Sequence, residues 1–304
     1  MRIKVIGVGG AGGNTVSRLV KTAVKGVEFF AVNTDAQSLG NCLSPHKILI
    51  GKKITGGLGT GMDFKLGLKA AEESQEALKE ILKEADLVFL TAGLGGGTGS
   101  SVISVLGRMC RERGILAIAV VTLPFFFEGE LRRKVARWGL ENLKKNIDAY
   151  LVVPNDRVLK IMPKNASVNE AFFRVDQVLV EALEGVSNFL FSSGIINVDF
   201  ADLEEVLKGA GQILLGIGRA KGEQRALAAV SRALQSPLLS FSPPKAKGIL
   251  FNISGRDVSL SEVNLVANFL KKLADQKTKI IFGVSEDRKM AKGEIKVTLV
   301  ATSN

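Results

Sequence analysis

The 304 residues, 46% of them hydrophobic and 23% charged, are enough for a large core and suggest two domains or one large one. Forty-one Lys and Arg against 30 Asp and Glu leave a net charge of +11, which invites a polyanion such as nucleic acid, or a membrane surface. The basic residues are spread along the chain without interleaved aromatics, so a solvated basic surface is favoured over a nucleic-acid interface. One histidine, His46, and two distant cysteines, Cys42 and Cys110, argue against a His-based zinc site and a Ser-His-Asp triad. The cysteines lack metal-ligand spacing and fit reduced thiols in a cytoplasmic protein.

The N-terminus, "MRIKVIGVGG", starts like an export signal, but glycines take the place of its apolar segment. "RIKVIGV" predicts a strand and "GNTVSRLVKTAV" a helix; "VEFFAVNT" is a second strand. A glycine-rich loop, "TGGLGTG", leads into one helix over 64–84, and "ADLVFLTA" is a strand before a helix over 99–113. "ILAIAVVTLP" is a buried strand, followed by a helix over 130–145 whose basic run "LRRKVAR" forms one face, and by strand "AYLVVP". The apolar run through "ILAIAVVTLPFFF" is too short to span a bilayer and contains Pro124. Strands apolar on both faces, alternating with helices, predict a Rossmann-like parallel sheet covered on both sides. His46 is placed in a surface loop.

After Pro163, residues 167–194 read as one long apolar helix opened by Ser167 and Glu170 at capping-box spacing. There follow "NVDFADLEEVL", strand "AGQILLGIG", a helix over 222–235, a turn-rich stretch at 236–248, strand "ILFNIS" and a helix over 259–274. Two closing strands, "KIIFGVS" and "EIKVTLVAT", predict a mixed sheet with a hairpin. The expected domains are therefore 1–165, a central helix at 166–194, and a second α/β domain at 195–304.

Two glycine loops carry the chemistry. Gly7-Val8-Gly9-Gly10-Ala11-Gly12 fits G-x-G-x-x-G between strand and helix, and Asp35 ends the second strand as a dinucleotide site would require. By itself this motif supports an NAD-dependent oxidoreductase. A second, denser loop, "TAGLGGGTGSS" at 91–101, follows a later strand. Its consecutive glycines let backbone amides wrap an anion, with Thr98 and Ser100 adding hydroxyls at a helix N-terminus. Two such cradles at one sheet edge suit a di- or triphosphate. Neither is a P-loop, so charge would be offset by amides, Mg²⁺ and Arg132. Asp199 and Asp202 in "NVDFADL" lie three apart, beyond the long helix. Asp before a helix is a common N-cap, but two acids and Asn197 exceed what capping needs. Beyond that helix they would reach the nucleotide of a neighbour stacked head to tail rather than their own.

"GGGTGSS" matches the tubulin signature, and the ordered set "VIGVGGAGGN", "AVNTDAQSL", "TAGLGGGTGS", "PFFFEG", "VPNDR", "NVDFAD", "LLGIG", "SPLL" and "VTLVAT" resembles the FtsZ branch of the tubulin/FtsZ GTPases over nearly the whole chain. The resemblance implies a cytoplasmic, cytoskeletal GTPase that binds GTP or GDP with Mg²⁺ and polymerises head to tail for cell division. It implies that Gly9, Gly10, Gly12 and Asn14 line the first phosphate and base region, and that Gly95, Gly96, Gly97, Thr98 and Gly99 hold the phosphates. Glu128 and Arg132 resemble ribose and phosphate contacts, Asn155 a ribose or base contact, and Phe172 and Asp176 the pair that stacks on and hydrogen-bonds guanine. Asn197, Asp199 and Asp202 resemble the loop that completes the next subunit's catalytic site.

The chain departs from the family pattern in places. It has Gly13-Asn14 where the family has two asparagines, and "GGLGTG" at 56–61 where the family reads R-G-L-G-A-G. It is basic where the family is mostly acidic. It ends at Asn304 with no linker or terminal peptide for tethering partners, as a trimmed core or a divergent paralogue would. That paralogue, a filament former with weak or no hydrolysis acting in DNA segregation, is the second reading.

Overall fold

Six buried residues, IKVIGV, make β1 (Ile3–Val8) in a computed structural model that describes all residues except 22–25, 161, 164, 192–193, 197, 236–245, 289 and 303–304. The chain divides into two units, Met1–Glu181 and Ala182–Asn304.

In the first unit β1 runs into α1 (Gly9–Lys21), then β2 (Val27–Asn33), α2 (Ala36–Asn41), β3 (His46–Leu49) and α3 (Lys52–Thr55). α4 (Phe64–Glu73), α5 (Gln75–Ile81), β4 (Leu87–Gly93), α6 (Gly97–Glu112) and β5 (Leu116–Leu123) follow. A 3₁₀ turn at Phe126–Glu128 precedes α7 (Glu130–Asn146), β6 (Ala149–Pro154), α8 (Asn155–Leu159) and α9 (Val168–Phe191), whose last residues enter the second unit. The strands order β3-β2-β1-β4-β5-β6, and every pair is parallel. Such a sheet is covered on both faces, and β4 and β5 are accordingly buried along almost their whole length. Phe89, Leu87, Leu90, Ile103 and Leu106 are among the largest fully buried side chains.

Several elements differ from the sequence reading. The single helix expected over 64–84 is broken at Ser74 into α4 and α5; the Ser74 hydroxyl accepts the Gly51 amide at 2.9 Å. His46 is exposed, but it opens edge strand β3 opposite Phe30, with the two rings stacked at 4.8 Å. Ser167 and Glu170 do form the capping box, with Ser167 N donating to Glu170 Oε2 at 2.6 Å and Glu170 N to Ser167 Oγ at 3.2 Å. Cys42 and Cys110 are free and buried, and burial pushes the Cys110 thiol up to about 12.

The second unit holds β7 (Gly194–Ile196), α10 (Phe200–Leu207), β8 (Gly211–Lys221), α11 (Arg225–Leu234), β9 (Gly248–Gly255), α12 (Leu260–Leu273), β10 (Lys279–Glu286) and β11 (Glu294–Thr302). Its order is β8-β11-β9-β10-β7. The sheet is mixed, as expected: β9 and β10 are parallel, while β11 is antiparallel to β8 and β9. The two closing strands do not form the expected hairpin, because β9 lies between them. The reason lies in β11 itself: Val297–Thr302 are all buried, as suits a strand flanked on both sides. Most of the turn-rich stretch expected at 236–248 lies outside the described residues.

Candidate functional site

β1 and β4 are neighbours, with Val8 opposite Ala92, while β2 lies beyond β1 and β5 beyond β4. Strand order therefore reverses between them. At such a switch point the loops leaving the two strands diverge and open a crevice at their carboxyl ends. The two glycine loops meet there: a Cβ on Gly9 would lie 3.3 Å from the Gly99 amide nitrogen.

The glycines of the second loop do different work. A Cβ on Gly95 would stand 2.6 Å from Arg132 Cγ, and one on Gly97 would stand 2.5 Å from both Asp63 O and Thr60 Oγ1. These two absences of side chain let α7 and the 56–63 loop close onto the signature. Gly96, the N-cap of α6, has nothing within 4 Å of its Cβ position and opens onto a cavity of about 430 Å³. Gly9, Gly10, Gly97, Thr98 and Gly99 line that cavity too. The starts of α1 and α6 thus line a pocket sized for a small ligand.

Three threonine hydroxyls share one wall. Thr98 Oγ1 is 2.7 Å from Thr34 Oγ1 and 2.9 Å from Thr60 Oγ1. Glu128, Arg132, Asn155, Phe172 and Asp176 line the cavity as well. The Glu128 carboxylate accepts from Phe125 N at 2.9 Å and from Arg132 Nη1 at 3.0 Å. Phe125 meets the half-exposed Phe172 ring edge-on at 5.1 Å. Asn155 is buried and its Oδ1 has no hydrogen-bond partner. Buried polar atoms are rarely left unpaired, and Thr91 Oγ1 is the other such atom among the described residues. Asp176 pairs with Arg18 Nη2 at 3.0 Å. Burial raises its pKa, and the Arg18 charge only partly opposes that.

Four nominated residues of the first unit fall outside the cavity wall. Gly12 packs α1 on the sheet: its Cβ position is 2.5 Å from Thr91 O and 2.8 Å from Gly7 C. Asn14 is exposed on α1, and Gly95 is turned against Arg132. Ser100 is fully buried, its hydroxyl accepting the Gly95 amide at 2.8 Å and shaping the loop from behind. Asp199 and Asp202 belong to the second unit, at the start of α10. Asp199 takes the N-cap position but makes no side-chain capping bond and is exposed; Asp202 lies in the first turn. Asn197 lies outside the described residues.

The sequence passed over Thr34, Thr60 and Arg18. Arg18 is 158 positions from Asp176, and no local pattern announces a partner supplied by another helix. Asp35 lines the cavity, but its carboxylate caps α2 by accepting Ser38 N at 2.8 Å, an engagement at odds with ribose recognition by that oxygen. Among the described residues no cluster of three or more His, Cys, Asp or Glu side chains could hold a metal ion, and no helix is long and apolar enough to cross a membrane.

A parallel α/β sheet with two glycine loops and a cavity at its switch point is the arrangement of a nucleotide-binding fold. The sequence model of the Tubulin/FtsZ family GTPase domain matches residues 2–163, and that of the FtsZ family C-terminal domain matches residues 211–303. The chain belongs to the tubulin/FtsZ family of GTPases.

It is an FtsZ-like cell-division protein. It is 44% identical over 301 residues to cell division protein FtsZ 1 of Pyrococcus horikoshii, covering 99% of this chain and 80% of that one. The corresponding protein of Thermococcus kodakarensis is 42% identical with the same coverage. Among solved structures, an empty FtsZ dimer from M. jannaschii superposes with a TM-score of 0.93 at 42% identity, over 99% of this chain and 88% of that one. A GTPγS-bound protofilament of CetZ2 from Haloferax volcanii, 23% identical, has a TM-score of 0.82 over 100% of this chain and 93% of that one, a likeness of fold.

Proposed function

We propose that the cavity binds GTP and GDP through Gly9, Gly10, Gly96, Gly97, Thr98 and Gly99, with Phe172 and Asp176 on the guanine and Asn155 on the ribose or base. A carboxylate accepting the guanine N1 and N2 protons would select against adenine. Glu128 and Arg132 would meet ribose and phosphate. Mg²⁺ keeps several waters and binds through substrate phosphates, so it would enter with the nucleotide, where it neutralises phosphate charge. The residues present fit that role, because hydroxyls and amides, rather than a carboxylate cage, line the phosphate end.

The same proposal has the chain polymerise head to tail into protofilaments in the cytoplasm and act in the division ring, with the active site completed between subunits. One observation carries it. Among the described residues, each carboxylate that lines the cavity already holds a protein donor: Asp35 caps α2, Glu128 holds Arg132 and the Phe125 amide, and Asp176 holds Arg18. Hydrolysis needs a group that positions water, and Asp199 is an exposed carboxylate left without a capping bond. Supplied by a neighbouring copy, Asp199 and Asp202 would place that group. A heterologous contact of this kind does not close and yields filaments.

Asp199→Ala tests this. The expected result is GTP affinity within about twofold of the parent, with hydrolysis reduced about a hundredfold or more, the scale of losing a residue that acts in the transition state. Loss of GTP binding would put Asp199 in its own subunit's pocket and contradict the shared site.

A further inference from the structure

We propose that Thr60 is a positioning residue, one that aims the Thr98 hydroxyl at an oxygen of the bound nucleotide's phosphate chain; this rests on the nucleotide reading of the cavity. Thr34, Thr60 and Thr98 all line the cavity and are at most 7% exposed. Each of the Thr34 and Thr60 hydroxyls has Thr98 Oγ1 as its hydrogen-bond partner, at 2.7 and 2.9 Å. A hydroxyl carries one proton and two acceptor lone pairs. If Thr34 and Thr60 both donate, they fill both lone pairs of Thr98 and leave its proton without a protein acceptor. That proton is then left for a ligand in the cavity that Thr98 lines. An anionic oxygen there completes the set: three protons, with two accepted by Thr98 and one by the phosphate. Two donors feeding one hydroxyl also polarise it and strengthen the bond it gives. With Thr60 unable to donate, Thr98 loses one source of that polarisation and one constraint on where its own proton points.

The placement of Thr60 does not depend on its hydroxyl. Gly57 O accepts Ala36 N at 2.9 Å, Gly59 N donates to Thr34 O at 3.1 Å, and Gly61 O accepts Gly97 N at 2.8 Å. Backbone bonds therefore hold the 56–61 loop, and a substitution at Thr60 alters the proton arrangement with the loop in place.

The test compares Thr60→Val, which keeps the shape, with Thr60→Ser, which keeps the hydroxyl. Equilibrium titrations of the full chain with GTP and with guanosine are the readout. The expected result is a GTP Kd raised about fivefold to tenfold in Thr60→Val, an unchanged guanosine Kd, and recovery to within about twofold of the parent in Thr60→Ser. GTP binding by Thr60→Val equal to the parent would overturn the proposal. So would equal losses for GTP and guanosine, which would mark a packing role. Failure of the parent itself to bind GTP would instead overturn the nucleotide reading beneath it.

Discussion

The Asp176 carboxylate on α9 lies 3.0 Å from the Arg18 guanidinium on α1, and Arg18 also stacks over the Phe173 ring at 4.4 Å. The acid nominated for guanine thus comes with a cation that holds it charged against its burial. Burial is the larger influence, so the Asp176 pKa stays above the ordinary aspartate value of 3.8.

Guanine recognition through Asp176 needs the ionised form. As pH falls through the raised pKa, the carboxylate gains a proton and loses an acceptor. GTP affinity should therefore fall at a higher pH than an ordinary aspartate would give. Arg18→Ala removes the charge that opposes burial, so the pH of half-maximal affinity should move up further. Titrations across pH 4 to 7 on parent and variant measure this; coincident profiles would show that Arg18 does not govern the carboxylate.

In the second unit, Arg225 joins the start of α11 to the start of α12. Its Nε and Nη2 donate to Glu262 at 2.6 and 3.0 Å, and Nη1 donates to Asp257 Oδ1 at 2.7 Å. These bonds hold the Glu262 pKa at about 2, against an ordinary 4.5. A carboxylate depressed on folding contributes stability that is fully present above the unfolded value and lost as pH falls through the folded one. The contribution should decline between about pH 4.5 and 2. Glu262→Gln should cost about 1–3 kcal/mol at neutral pH and lessen the acid dependence over that window. Denaturant melts of both proteins at pH 7 and pH 3.5 check it; equal stabilities at pH 7 would show the network to be energetically idle.

Much of this was legible in the sequence because backbone chemistry announces itself locally. Alternating apolar runs and helical periods gave the parallel sheet, and the two glycine loops pointed to its carboxyl edge. The capping box at Ser167 and Glu170 set the start of α9. What stayed hidden depends on packing between distant segments. Gly95 and Gly97 read as anion-wrapping glycines, but each is also required for the close approach of Arg132 or of the 60–63 backbone. Gly12 serves the contact of α1 with the sheet. The Arg18–Asp176 pair and the threonine node join residues 158 and up to 64 positions apart, so no spacing rule finds them. The missed hairpin has the same origin: β11 is drawn between β8 and β9 by burial on both faces, where adjacency in sequence suggested pairing with β10.

Under the proposed function, two copies of this chain make one active site. Phosphate release should be measured against protein concentration, with GTP and Mg²⁺, alongside light scattering at a right angle. Activity per chain should stay near zero below a threshold concentration and rise above it together with scattering. Hydrolysis at a constant rate per chain across all concentrations would show a site complete in one copy and would contradict the role given to Asp199 and Asp202.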